Sequence, residues 1–126
     1  SLAERAARAR ALGADLFISL HVNRIPGHPE CFGAQTFYYP GSQDGERLAR
    51  LIQAELLAVD PENYRQAMEG RYAVLRQSDM PGALVEIAFM SNARDRHLLQ
   101  QESYRERVTG AIVQGILRYV RGDTLP

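Results

Sequence analysis

The run Ala83-Leu84-Val85-Glu86-Ile87-Ala88-Phe89 sets a single carboxylate among apolar neighbours. Pro81-Gly82 precede it and Ser91-Asn92 follow, so the run is short and bounded, the signature of a buried strand. An ionised, unpaired carboxylate in such a setting costs on the order of several kcal/mol. Glu86 must therefore be protonated, paired with a cation, or bound to a metal or its water. A second run of strand type, residues 15–21, ends on His21. Two readings of Glu86 follow. It pairs with one of the many arginines, or it shares a site with His21.

The chain has 126 residues, enough for one domain with one core. It is 45% hydrophobic and 24% charged, the composition of an ordinary globular chain. Its 15 basic residues, all Arg, balance 15 acidic ones, which argues against an electrostatic nucleic-acid footprint. Cys31 is the lone cysteine, so neither an intramolecular disulfide nor a cysteine-based zinc cluster can form. No apolar run is long enough to span a bilayer. Because the chain opens on Ser1 with residues that already read as helix, it is expected to be the C-terminal part of something longer.

Along the chain, residues 2–12 are rich in Ala and Arg and predict a helix, with Gly13 placed to end it. A loop with Pro26, Gly27 and Pro29 separates the strand at 15–21 from a second at 33–39. Leu48, Leu51, Ile52 and Leu56 fall on one face of a helix over 45–58. Residues 59–71 have weak periodicity and predict a loop, and 72–76 a short strand. Asn92 caps a short helix with Asp95 three residues on. Ser103 and Glu106 form a capping box for the last helix, whose core face carries Val108, Ala111, Ile112, Gly115, Ile116 and Tyr119. Strands alternating with helices predict an α/β fold. The links between 15–21 and 33–39, and between 72–76 and 83–89, are too short for helical crossovers, so a mixed sheet is expected.

His21 stands at the C-terminal end of its strand, where open α/β sheets place ligand sites. Imidazole is a common metal ligand, and a carboxylate raised in pKa by an apolar setting suits proton transfer near neutral pH. Asn23 is placed to hold the following loop or touch a ligand. His28 lies in a Pro/Gly-rich loop and His97 in the helix after the Glu86 strand; both read as surface residues. Arg71 and Arg76 are candidates either to pair with Glu86 or to grip a substrate carboxylate. No phosphate loop, serine elbow or HExxH pattern is present.

Residues 14–23 (ADLFISLHVN) and 81–92 (PGALVEIAFMSN) together resemble the zinc-dependent N-acetylmuramoyl-L-alanine amidases, with their S-x-H-x-N strand end and late L-V-E-x-x-F-x-S-N strand. The resemblance runs from about residue 3 to residue 120. The segment GAQTFYYP at 33–40 and the helix starting near Glu46 resemble the spore-cortex, germination-specific subgroup. The resemblance implies a mostly parallel, phosphorylase/hydrolase-like sheet flanked by helices. It also implies hydrolysis of the amide between N-acetylmuramic acid and L-alanine in peptidoglycan, outside the cytoplasm, with Zn2+ as cofactor. His21 would be a zinc ligand and Glu86 the catalytic carboxylate.

The chain departs from the family in lacking an early Gly-His-Gly-Gly loop and the element that supplies the remaining Glu ligand. It is therefore expected to be the C-terminal portion of a single catalytic domain (residues 1–126), without its first strands and helix and poorly stable alone. Two alternatives stand beside the enzyme: a non-catalytic peptidoglycan-binding or structural module, and an unrelated α/β domain with Glu86 in a salt bridge.

Overall fold

The computed structural model describes residues 1–76 and 79–126. Helix α1 (Leu2–Ala11) begins with a complete capping box between Ser1 and Glu4. Its chain then turns at Gly13, whose φ of 68° is the left-handed conformation glycine adopts without steric cost. Strand β1 (Phe17–Asn23) and strand β2 (Gln35–Tyr38) follow, then helix α2 (Gln43–Val59), capped by the Ser42 side chain. The two-residue strand β3 (Met68–Glu69) lies in the segment expected to be loop, and helix α3 (Ala73–Arg76) lies where a strand was expected. Strand β4 (Gly82–Phe89), helix α4 (Ala93–Leu99) and helix α5 (Glu102–Arg121) complete the chain.

The expected strand at 72–76 is a single helical turn because Val74 and Leu75 are both buried, against Leu84. Consecutive residues of a strand point to opposite faces, whereas one helical turn can bury both on one side. Tyr72 accepts the closing bonds of this turn, from Leu75 and Arg76 backbone N–H. The capping box expected at Ser103 is not formed either. Helix α5 starts earlier, at Glu102 with Gln101 as N-cap, which leaves Ser103 inside the first turn. The tight link from α4 sets that start, since Gln101 N–H already bonds to the Leu98 carbonyl. Asn92 does cap α4, accepting from Asp95 N–H at 3.0 Å.

The sheet has the order β1-β4-β2-β3 and is mixed. Strands β1 and β4 are parallel, as are β2 and β3, while β2 runs antiparallel to β4. The short links predicted this mixture for a different reason from the one observed. The strands joined by the short link after β1 do not pair with each other; β4 inserts between β1 and β2. Its near-continuous burial fits a central strand covered on both faces.

Helices α2 and α5 cover one face, where Leu48, Ile52, Leu56, Val108, Ala111 and Ile112 pack on Ala83 and Val85. They cross closely at Gly115, where a Cβ would come within 2.6 Å of the Ile52 Cα. The opposite face carries a smaller cluster, Val74, Leu75 and Leu84 with Phe17, Phe37 and Tyr72. This cluster fills only the lower half of that face. The upper half holds the polar residues.

Candidate active site

Alternation along β1 sends Ser19, His21 and Asn23 to one face, leaving Leu20 (59% exposed) and Val22 (46%) on the other. The register pairs His21 with Glu86 and Glu86 with Gln35. Directly paired residues share a face, so His21, Glu86 and Gln35 form a row across three strands. The row lies toward the C-terminal ends of the two parallel strands β1 and β4, the side where open α/β sheets bind ligands.

A break in register follows immediately. Between His21 and Asn23 the partner advances from Glu86 to Phe89, so β4 spends one extra residue there. Such a bulge re-aims the side chains beyond it, and Phe89 returns to the face shared by Asn23 and Glu86.

Glu86 is 6% exposed, and its Oε2 has no hydrogen-bond partner among the described residues. Burial pushes its pKa above the ordinary 4.5. Among the described residues no arginine pairs with it, which speaks against the salt-bridge reading of Glu86; Arg71 and Arg76 are both exposed. Tyr72 is its aromatic neighbour. Burial first, and the Glu86 charge second, raise the Tyr72 phenol above its usual pKa.

His21 is held from one side, its Nε2 lying 2.8 Å from the Ser19 hydroxyl. A hydroxyl on one ring nitrogen fixes the ring and leaves the other nitrogen, Nδ1, for a ligand. His28 pairs with Glu30 at 2.9 Å on the surface, and His97 is exposed on α4; neither joins the row. Asn23 serves the loop: its Oδ1 accepts from Arg24 N–H and its carbonyl from Met90 N–H.

Residues read from the sequence only as strand-bounding or cap positions hold the rim. The Ser91 hydroxyl accepts from Ile25 N–H, and Asn92 Nδ2 donates to the Pro29 carbonyl. Asp95, 1% exposed, accepts from both Gly33 N–H and Phe89 N–H and is paired with Arg94. It thereby ties the loop after β1 to the end of β4. The sequence signalled Asp95 only as a cap position, since its distant partners have no local pattern. Gly33 has a φ of 99° and passes so close to Asn63 that a Cβ would overlap that side chain.

As a zinc site the donors fit in part. His21 and the unpartnered Glu86 are suited to metal chemistry, but no group of three His, Cys, Asp or Glu converges among the described residues. Catalytic zinc generally takes three protein ligands.

Residues 1–118 match the family model described as N-acetylmuramoyl-L-alanine amidase. The chain belongs to that family. It is 39% identical over 114 residues to the germination-specific N-acetylmuramoyl-L-alanine amidase of Bacillus subtilis, covering 87% of this chain and 47% of that protein. It is 36% identical to the N-acetylmuramoyl-L-alanine amidase LytC of Bacillus subtilis, over 96% of this chain and 25% of LytC. The CwlD amidase of Clostridioides difficile, solved in complex with the GerS lipoprotein, superposes with a TM-score of 0.91 at 34% identity. That superposition covers 97% of this chain and 62% of the CwlD chain. The amidase-family chain thus spans about half or less of the curated relatives named here. Its mixed sheet with flanking helices is the fold of this amidase family.

Proposed function

We propose that the protein carrying this chain hydrolyses the amide between N-acetylmuramic acid and L-alanine in peptidoglycan, with Glu86 as proton carrier and His21 as one zinc ligand. The observation that carries this reading is the buried Glu86 carboxylate, its Oε2 without a partner among the described residues, register-paired with His21 in the C-terminal halves of β1 and β4. Family membership supports the reaction, and the chemistry of the row supports the roles. We further propose that residues 1–126 form the C-terminal portion of a single catalytic domain whose other zinc ligands lie outside them. Two donors here, and a match to 47% of the germination-specific relative, support that division.

Ser19 orients the His21 ring so that Nδ1 can accept a metal. Bound zinc would supply Lewis-acid polarisation of the lactyl carbonyl and lower the pKa of its water. Glu86 takes a proton from the attacking water and delivers it to the alanyl nitrogen as the C–N bond breaks. A pKa raised by burial suits this double duty, because the acid form must persist long enough to protonate the leaving amine. Water adds across the amide, and the products are the lactyl acid and the free amine of the stem peptide. The likeness to germination-specific relatives makes spore cortex, beside vegetative cell wall, a substrate to test. Both settings are extracytoplasmic. The lipoprotein bound to the CwlD relative makes an accessory envelope protein the first protein partner to seek.

The test is zinc content by elemental analysis, together with release of alanyl amines from purified peptidoglycan by the longer protein. His21→Ala should lose zinc and activity together. Glu86→Gln should keep zinc and lose about 10²–10⁴-fold in turnover. Full activity in Glu86→Gln would remove Glu86 from the chemistry. Peptidoglycan binding without hydrolysis by the unmutated protein would instead make the chain a non-catalytic module.

A further inference from the structure

Four arginines in this chain are half-buried: Arg47, Arg65, Arg94 and Arg118. Arg94 meets Asp60, Glu62 and Asp95, and Arg118 meets Glu55 and Asp123. Arg47 lies on the C-terminal end of α5, donating to the carbonyls of Tyr119 and Asp123. Arg65 alone of the four has neither a carboxylate nor a helix end among the described residues. Its guanidinium is nonetheless held in place. Nε donates to the Phe32 carbonyl at 2.6 Å and Nη1 to Gln35 Oε1 at 3.2 Å. The guanidinium carbon stands 4.5 Å over the Phe89 ring, the ring that the β4 bulge returns to the Glu86 face. Gln35 is in turn fixed by donating to the Gln66 carbonyl at 2.9 Å. Nη2 takes part in none of these bonds.

This arrangement extends the row. Gln35 is the register partner of Glu86, so the order across the sheet is His21, Glu86, Gln35, with Arg65 attached to the last. Glu86 lies between the two flanks. In the proposed reaction the carbonyl is attacked on the His21 side, and Glu86 protonates the amine that leaves. The peptide stem then departs toward Gln35 and Arg65. Neighbouring strands are about 4.8 Å apart and an extended peptide advances about 3.3 Å per residue, so this flank reads the stem one to three residues beyond the scissile amide.

We propose that Arg65 binds a carboxylate of the peptide stem on the leaving-amine side of the scissile bond, and so selects acidic stems over amidated ones. With Nε and Nη1 engaged, Nη2 is held in place to donate a charge-assisted bond to a carboxylate, and two uncharged acceptors fix the guanidinium without neutralising it. The proposal rests on the peptidoglycan-amidase reading above.

The experiment uses the longer, zinc-loaded protein and two synthetic probes: N-acetylmuramoyl-L-alanyl-D-glutamate, and the same compound with both glutamyl carboxyls as amides. The unmutated protein should show a KM about 10–100-fold lower for the acid, the range expected for a hydrogen-bonded charge pair. Arg65→Gln should raise KM for the acid to that of the diamide, so that the loss on the acid exceeds any loss on the diamide by about that same 10–100-fold, with zinc content retained. Arg65→Lys should recover only part of the preference, since it restores the charge without the fork. Equal KM values for the two probes in the unmutated protein overturn the proposal, even if no Arg65 variant folds. An equal loss on both probes in Arg65→Gln also overturns it, by making Arg65 a structural residue. Calorimetric titration with L-alanyl-D-glutamate reads the same contact without catalysis. Should the protein hydrolyse neither probe, binding of this dipeptide that Arg65→Gln abolishes would uphold the carboxylate site while the amidase reading fails. No binding would overturn both.

Discussion

Glu86 makes a statement about stability as well as about chemistry. Its native pKa is raised above 4.5, so the folded chain holds this proton more tightly than the unfolded chain does. Relative to a neutral isostere, its contribution is intact below about pH 4.5 and is lost progressively as pH climbs through the raised native value. Glu86→Gln should therefore be more stable than the unmutated protein at pH 7.5, with the gap closing near pH 4, as read from urea midpoints at each pH. A constant gap would mean that the carboxylate finds a charge partner in solution. At this scale the sequence was informative where chemistry contradicts its surroundings. A carboxylate inside an apolar run announces itself, as does a histidine after an apolar run, although the strand continues two residues past His21 to Asn23. Arg65 and Asp95 do not, because each looks like any other charged residue until its distant partners are known. Asp95 holds Gly33 from 62 positions away. Arg65 lies in a stretch whose weak periodicity offered no signal.

At the scale of elements, α5 contains two glycines with opposite meaning. Gly110 has nothing within 4 Å of where a Cβ would sit, while at Gly115 the backbone of Ile52 stands 2.6 Å away. Gly110→Ala should stabilise by about 0.5–1 kcal/mol through helix propensity alone. Gly115→Ala should destabilise by about 1–3 kcal/mol despite the same propensity gain, because α2 must move to admit the methyl group. Denaturant unfolding of the two variants decides this, and a stabilised Gly115→Ala would mean that the helices are less closely engaged. The helices themselves were largely legible, since apolar periodicity and caps are local. Elements of one turn or less were not. Residues 73–76 carry β-branched and aliphatic content that suits a strand, and only the shared burial of Val74 and Leu75 makes them helical.

At the scale of the molecule, β1 lies at the edge of the sheet, with Leu20 and Val22 exposed at the margin of the face that α2 and α5 cover. An unpaired edge with apolar side chains is a template for association. The chain expressed on its own should self-associate with concentration in sedimentation velocity and unfold at a lower temperature than the longer protein. Leu20→Lys should weaken that association. A monomer with a cooperative transition well above room temperature would refute both expectations.

The α/β class, the major helices and strands, and the two residues around which the proposed site is built, His21 and Glu86, could all be read along the chain. These are encoded by local periodicity, by turn residues and by the energetic oddity of a charge among apolar neighbours. The insertion of β4 between β1 and β2 emerged only from the folded arrangement. With that order came the row of His21, Glu86 and Gln35, and the delivery of Arg65 to its end. Strand order depends on which surfaces bury best against one another across the whole chain, and short-range pattern carries no record of that competition.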